Sequence, residues 1–113
     1  MKIKTAELTG TALDWAVAKC EGFSLMDTEG YQYHETDGRS VFLPSTNWAQ
    51  GGPIIEREKI TISDALDEWV AGSKGRLTYF GPTPLSAAMR CYVASKLGDE
   101  VDIPAELVQS NPI

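Results

Sequence analysis

Two glycine–proline segments stand out as places where this chain could do chemistry. One is Gly51-Gly52-Pro53; the other is Gly81-Pro82-Thr83-Pro84. Each precedes or enters a helical stretch, and backbone amides at a helix N-terminus attract anions. Neither matches a phosphate-binding fingerprint, because both GxxxxGK[ST] and GxGxxG are missing. The plainer reading is that glycine supplies dihedrals closed to other residues while proline stiffens the turn. Glu56 and Glu58 are a second candidate, for acid–base or metal work. Residues two apart on a helix do not face each other, which makes a solvated face the plainer reading. Arg90, polar on a nearly apolar helix, can pair with a carboxylate such as Glu56 or cover apolar surface with its stem. Trp48 sits just after a helix cap and just before a glycine turn, where a side chain can remain partly open; the plainer reading is that it plugs the sheet edge. If Trp48, Gln50, Glu56 and Arg90 converge, they line a pocket or a partner surface with Gly51, Gly52, Gly81 and Thr83 at its rim.

Other chemistries have less to build on. His34 is the single histidine, and there is no CxxC, so no zinc site or other metal site is expected. Cys20 and Cys91 read as small buried hydrophobes. Ser, His and Asp are present, but no local motif sets a nucleophile beside a base. No catalytic residue and no cofactor is therefore assigned. The net charge of −6 argues against direct nucleic-acid binding, which needs a cationic footprint. The acidic stretches Glu21–Asp37 and Asp99–Glu106 read as solvated surface; an ordered carboxylate stripe there would instead suit a DNA mimic.

The elements that must position these residues follow from periodicity and punctuation. The clearest is Phe80 to Gly98. Thr83 can cap, Pro84 suits the first helical position, and Gly98 can close the helix. Leu85, Met89, Tyr92, Val93 and Leu97 make a large-residue face; Ala87, Ala88, Cys91, Ala94 and Ser95 make a small one. A helix apolar nearly all round is buried on more than one side, so this one should lie on a sheet by one face and against a helix by the other.

Thr5 to Glu21 reads as a first helix, with Trp15 as a core anchor, Gly22 as the stop, and Thr11 and Asp14 at capping-box spacing. Phe23 to Leu43 changes period and suggests two strands around the Asp37-Gly38 turn. Ser45 or Thr46 opens a helical stretch from Asn47 to Glu58. Pro53 in its middle predicts two pieces with a kink, or a turn followed by a helix from Pro53. Strands are predicted near Lys59–Ile62, Glu68–Gly72 and Arg76–Phe80, with a helix over Ser63 to Ala71 as the alternative, and a short helical turn after Pro104. Residues 108–113 read as a frayed tail.

The size of 113 residues implies one domain, 1–113. The sum is an α+β fold: a small, mostly antiparallel sheet packed with two to three helices, like an α-β-α sandwich. No run is long enough to span a membrane, and the lysine-bearing start lacks the apolar block of a signal peptide, so a cytoplasmic location is expected.

Three blocks carry a family resemblance: ALDWAVAKCEG (Ala12 to Gly22), PSTNWAQGGPIIERE (Pro44 to Glu58) and GPTPLSAAMRCYVASKLGDEVDIPAEL (Gly81 to Leu107). Through them the chain resembles the NinX-like family of small proteins from lambdoid phages and prophages. It is more distantly similar to phage domains described as α-β-α sandwiches. The resemblance implies a phage or prophage origin and the cytoplasm of a bacterial host, and it carries over no activity and no catalytic residue. The functional expectation is an accessory protein that binds a host or phage protein. The alternatives are a small-molecule or nucleotide-handling enzyme built on the glycine–proline turns, and an acidic DNA-mimic inhibitor. Oligomeric state is left open, since no long heptad run specifies one.

Overall fold

The computed structural model describes residues 1–23, 41–73 and 77–107. Among them are five strands and three α-helices. In chain order these are β1 (Lys2–Lys4), α1 (Gly10–Cys20), α2 (Trp48–Glu58), β2 (Ile60–Ala65), β3 (Glu68–Ser73), β4 (Leu77–Gly81), α3 (Pro84–Leu97) and β5 (Glu100–Asp102). Short 3-10 turns cover Thr5–Glu7 and Ala105–Leu107. The hairpin expected around Asp37-Gly38, with His34 and most of the first acidic stretch, lies outside the described residues.

β2, β3 and β4 form an antiparallel meander, with Ile62 opposite Ala71 and Ala71 opposite Tyr79. Side chains alternate across its two faces. Ile60 and Ala71 are buried, and Ile62, Trp69 and Tyr79 pack on the core from the same face. Thr61, Ser63, Glu68, Thr78 and Phe80 stand exposed on the other. β1 and β5 pair separately, Lys2 opposite Asp102 and Lys4 opposite Glu100. Neither three-residue strand was anticipated.

The α+β class is as expected, and α3 is its centre. Thr83 caps α3 by accepting from the Ser86 amide, Ser86 reciprocates on the Thr83 amide, and Pro84 opens the first turn. Gly98 ends the helix at φ +92°, a conformation that a side chain would strain. α3 rests on β2–β4 by one side and meets α1 and α2 with the other. The layer order is sheet, then α3, then α1 and α2. Leu85, Ala87, Ala88, Met89, Cys91, Tyr92 and Val93 are all buried, and all of them except Leu85 share one core cluster with Leu13, Ala16 and Val17 of α1.

The expected first helix starts later than read. Thr5–Glu7 is a 3-10 turn, and α1 begins at Gly10 with Thr9 at the cap and no side-chain cap bond. Asp14 takes no part in capping; it turns inward to Ser45. Trp15 is a buried core residue, as expected.

The larger correction is α2. It runs unbroken from Trp48 to Glu58 with Pro53 inside, capped by Asn47, whose Oδ1 accepts from the Ala49 amide, and not by Ser45 or Thr46. Two features make the proline tolerable. The residue before it is Gly52, which has no Cβ to clash with the ring. Pro53 is also exposed, so the Ala49 carbonyl that loses its donor lies on the solvent side.

Candidate functional site

Gly81 is buried where β4 runs into the first turn of α3. A Cβ there would stand 2.5 Å from Ser86 Oγ and 2.7 Å from the Ala87 nitrogen. The glycine thus lets the strand end and the helix start touch. Thr83 is fully engaged in the cap, since its hydroxyl accepts from the Ser86 amide at 3.0 Å. The space an anion would need above this turn is filled by the protein's own Ser86.

The second glycine–proline segment also serves packing, in one of its two glycines. Gly51 is buried; an added Cβ would meet the Pro44 carbonyl oxygen at 2.5 Å and Leu85 Cδ2 at 2.6 Å. Further along, Arg57 reaches Tyr92, so α2 and α3 run in the same direction, Gly51 level with Leu85 and Arg57 with Tyr92. Gln50 is buried as well. Its Oε1 accepts from the Leu43 amide at 2.6 Å and its Nε2 donates to the Val41 carbonyl at 2.9 Å, clamping the chain that leads into α2.

The opposite side of α2 is open. Trp48 is 54% exposed. Its ring lies along its own helix, with Cε3 4.0 Å from the point where a Gly52 Cβ would be. At ~100° per residue, Trp48, Gly52 and Glu56 form one ridge with Ala49 and Pro53 beside it. Trp48, Ala49, Pro53 and Glu56 are exposed and Gly52 is half-buried. Glu56, the single charge on this ridge, has no ion pair or hydrogen bond among the described residues.

Arg90 does not meet Glu56. Its Nε donates to the Leu8 carbonyl at 2.7 Å and its Nη1 to the Phe80 carbonyl at 2.6 Å. It ties the approach to α1 to the end of β4. Burial pulls its pKa below the ordinary value, while the charge of Glu68 acts the other way. The eight candidate residues therefore separate. Gln50, Gly51, Gly81, Thr83 and Arg90 hold backbone in place, whereas Trp48, Gly52 and Glu56 share one solvent-facing ridge.

A polar cluster that sequence reasoning missed lies where the three helices come together. Arg57 donates to both carboxylate oxygens of Glu21, at 2.7 Å and 3.3 Å, and to the Tyr92 hydroxyl at 3.1 Å. Tyr92 in turn donates to Glu21 at 2.5 Å. Burial alone would raise the Glu21 pKa. The hydrogen bonds from Arg57 and Tyr92, with the charges of Arg57 and Lys96, outweigh it and hold the carboxyl below its ordinary range. Tyr92 is pushed up, by burial first and by Glu21 next. Cys20 beside it is pushed up to about 12, chiefly by burial, so its thiol stays protonated and unreactive at neutral pH. The cluster brings one residue from each helix region, and no local spacing could have announced it.

Asp14 is buried on α1 and accepts from the Ser45 amide at 2.8 Å. Burial raises its pKa against the opposing effect of Ser45. Among the described residues, the Ser45 hydroxyl, buried beside this carboxylate, makes no hydrogen bond of good geometry, and neither does the buried Trp15 indole nitrogen. Among the described residues no group of three or more His, Cys, Asp or Glu side chains could hold a metal ion. No helix among them is long and apolar enough to cross a membrane.

No curated protein matches the chain. A family model does: the one described as bacteriophage P22, NinX, matches residues 4–96. That span holds α1, α2, the three-stranded sheet and nearly all of α3, and with it all eight candidate residues. The chain belongs to the bacteriophage P22 NinX family.

Proposed function

We propose that this phage protein acts by binding another protein, in the cytoplasm of the bacterial host, through the outward ridge of α2. The observation that carries the reading is Trp48: a tryptophan more than half exposed on a helix whose other side is packed into the core. Exposed tryptophans are the side chains most over-represented among residues that dominate interface energies. Small neighbours support it. Ala49, Gly52 and Pro53 leave a shallow, uncharged strip beside the ring, onto which a partner can close.

The geometry gives less support to a nucleotide-handling enzyme, because the glycines at both turns serve close packing and Arg90 is spent on backbone carbonyls. The test is a photo-crosslinking amino acid at Ala49, irradiated in phage-infected cells. A discrete protein adduct that disappears when Trp48→Ala is added supports the reading. An Ala49 probe that yields only uncrosslinked chain, in cells where the protein is folded and abundant, sinks it.

A further inference from the structure

We infer that the partner of the α2 ridge is a second copy of this chain, the two helices packing antiparallel about a two-fold axis at Gly52. The inference rests on the docking reading above and goes on to name the occupant. Its ground is that the ridge is self-complementary. In an antiparallel pair centred on Gly52, residue 48 of one copy lies opposite residue 56 of the other, since both are four positions from the axis. Trp48 offers an indole N–H with no partner among the described residues, and Glu56 offers a carboxylate with none. Donor and acceptor are equally spaced from one glycine, as a two-fold interface requires of a patch that must bind itself.

Two further terms point the same way. Each Trp48 ring lies along its own helix toward Gly52, so the two rings meet across the axis and bury apolar surface there, with the helix backbones at the long end of the usual range, roughly 10 Å. Glu56 of each copy also falls against the first turn of the partner's α2, the positive end of that helix dipole. The charge on the face is small. The two Glu56 carboxylates lie about 12 Å apart along the axis, at 1.5 Å rise per residue. That is beyond the ~8 Å screening length at physiological salt. The other acidic residues of α2 and of the three-stranded sheet lie off this ridge.

Sedimentation equilibrium of the purified chain, at concentrations from sub-micromolar to hundreds of micromolar, is the experiment. The expected mass is twice the 12.3 kDa of one chain. Glu56→Lys and Trp48→Ala should each weaken pairing by about tenfold or more, and Glu56→Gln, which keeps an acceptor, by less. Ala49→Arg, at an exposed position beside the axis, should abolish pairing while circular dichroism shows the fold intact. A monomer throughout, or a dimer indifferent to all four substitutions, overturns the inference. The two readings fail separately. A monomeric chain whose Ala49 probe crosslinks a different protein keeps the docking surface and removes self-pairing, whereas a monomeric chain with no adduct removes both.

Discussion

Arg90 Nη1 donates to the Phe80 carbonyl at 2.6 Å, joining the middle of α3 to the last turn of the strand before it. The same guanidinium holds the Leu8 carbonyl, 82 positions away, so one side chain ties α3 and β4 to the approach to α1. Arg90→Ala leaves both carbonyls to water or to no partner and should cost about 1–3 kcal/mol in urea unfolding. Arg90→Lys should fall between, since an ammonium cannot reproduce the two-pronged geometry. Equal stability of all three proteins would show that the bonds contribute nothing.

Adjacent glycines in α2 should respond unequally. Gly51→Ala drives a methyl into the Pro44 backbone and Leu85, and overpacking of this kind costs about 1–3 kcal/mol. Gly52→Ala places its methyl in ordinary contact with Trp48, and its helix-propensity gain of up to ~1 kcal/mol is offset by the clash of the new Cβ with the Pro53 ring. Thermal melts in a Glu56→Lys background, which keeps self-pairing out of the measurement, should move the two apart by several degrees. Equal shifts for the two would contradict the packing described.

The Glu21 carboxyl is held below its ordinary value of 4.5 in the folded chain. A lowered folded pKa contributes stability that is present above the unfolded value and is lost as pH falls through the folded one. Glu21→Gln should therefore cost stability at pH 7, and the gap from the unmodified chain should close in acid, below pH 4.5. Arg57 is half exposed, so screening keeps the effect to about 1 kcal/mol. A gap that persists unchanged in acid would separate Glu21 from this effect.

Asp14 has the opposite sign. Burial raises its folded pKa, so its ionisation weakens the fold as pH rises from its ordinary value of 3.8 through the raised one. Asp14→Asn keeps an acceptor for the Ser45 amide and should remove that part of the pH dependence with little loss at pH 7. Asp14→Ala strands a buried N–H and should cost about 1–3 kcal/mol. Chemical denaturation at pH 4, 5.5 and 7 distinguishes the three proteins.

Local signals account for what was legible. Thr83, Pro84 and Gly98 marked both ends of α3, and alternation located β2, β3 and β4 to within a few residues. β1 and β5 carry no such signal, because three residues show no period and each finds its partner about a hundred positions away. Pro53 misled because its cost depends on the residue before it and on which side of the helix loses the bond. Of the candidate site, the position of Trp48 between a cap and a glycine turn left room for an exposed ring, but the plainer reading had it plugging a sheet edge. Arg90's true partners were not legible, since backbone carbonyls of Leu8 and Phe80 leave no trace in side-chain spacing.

The pairing of Lys2–Lys4 with Glu100–Asp102 has a consequence for how the protein comes into being. The Thr5 amide donates to the Asp99 carbonyl, and the Thr5 hydroxyl to that of Gly98. During synthesis the first strand waits, unpaired, until nearly all of the described chain has been made. Completion of the fold is thus a late event on the ribosome or after it, and a nascent chain stopped at α3 should expose β1 to protease however well its helices have formed.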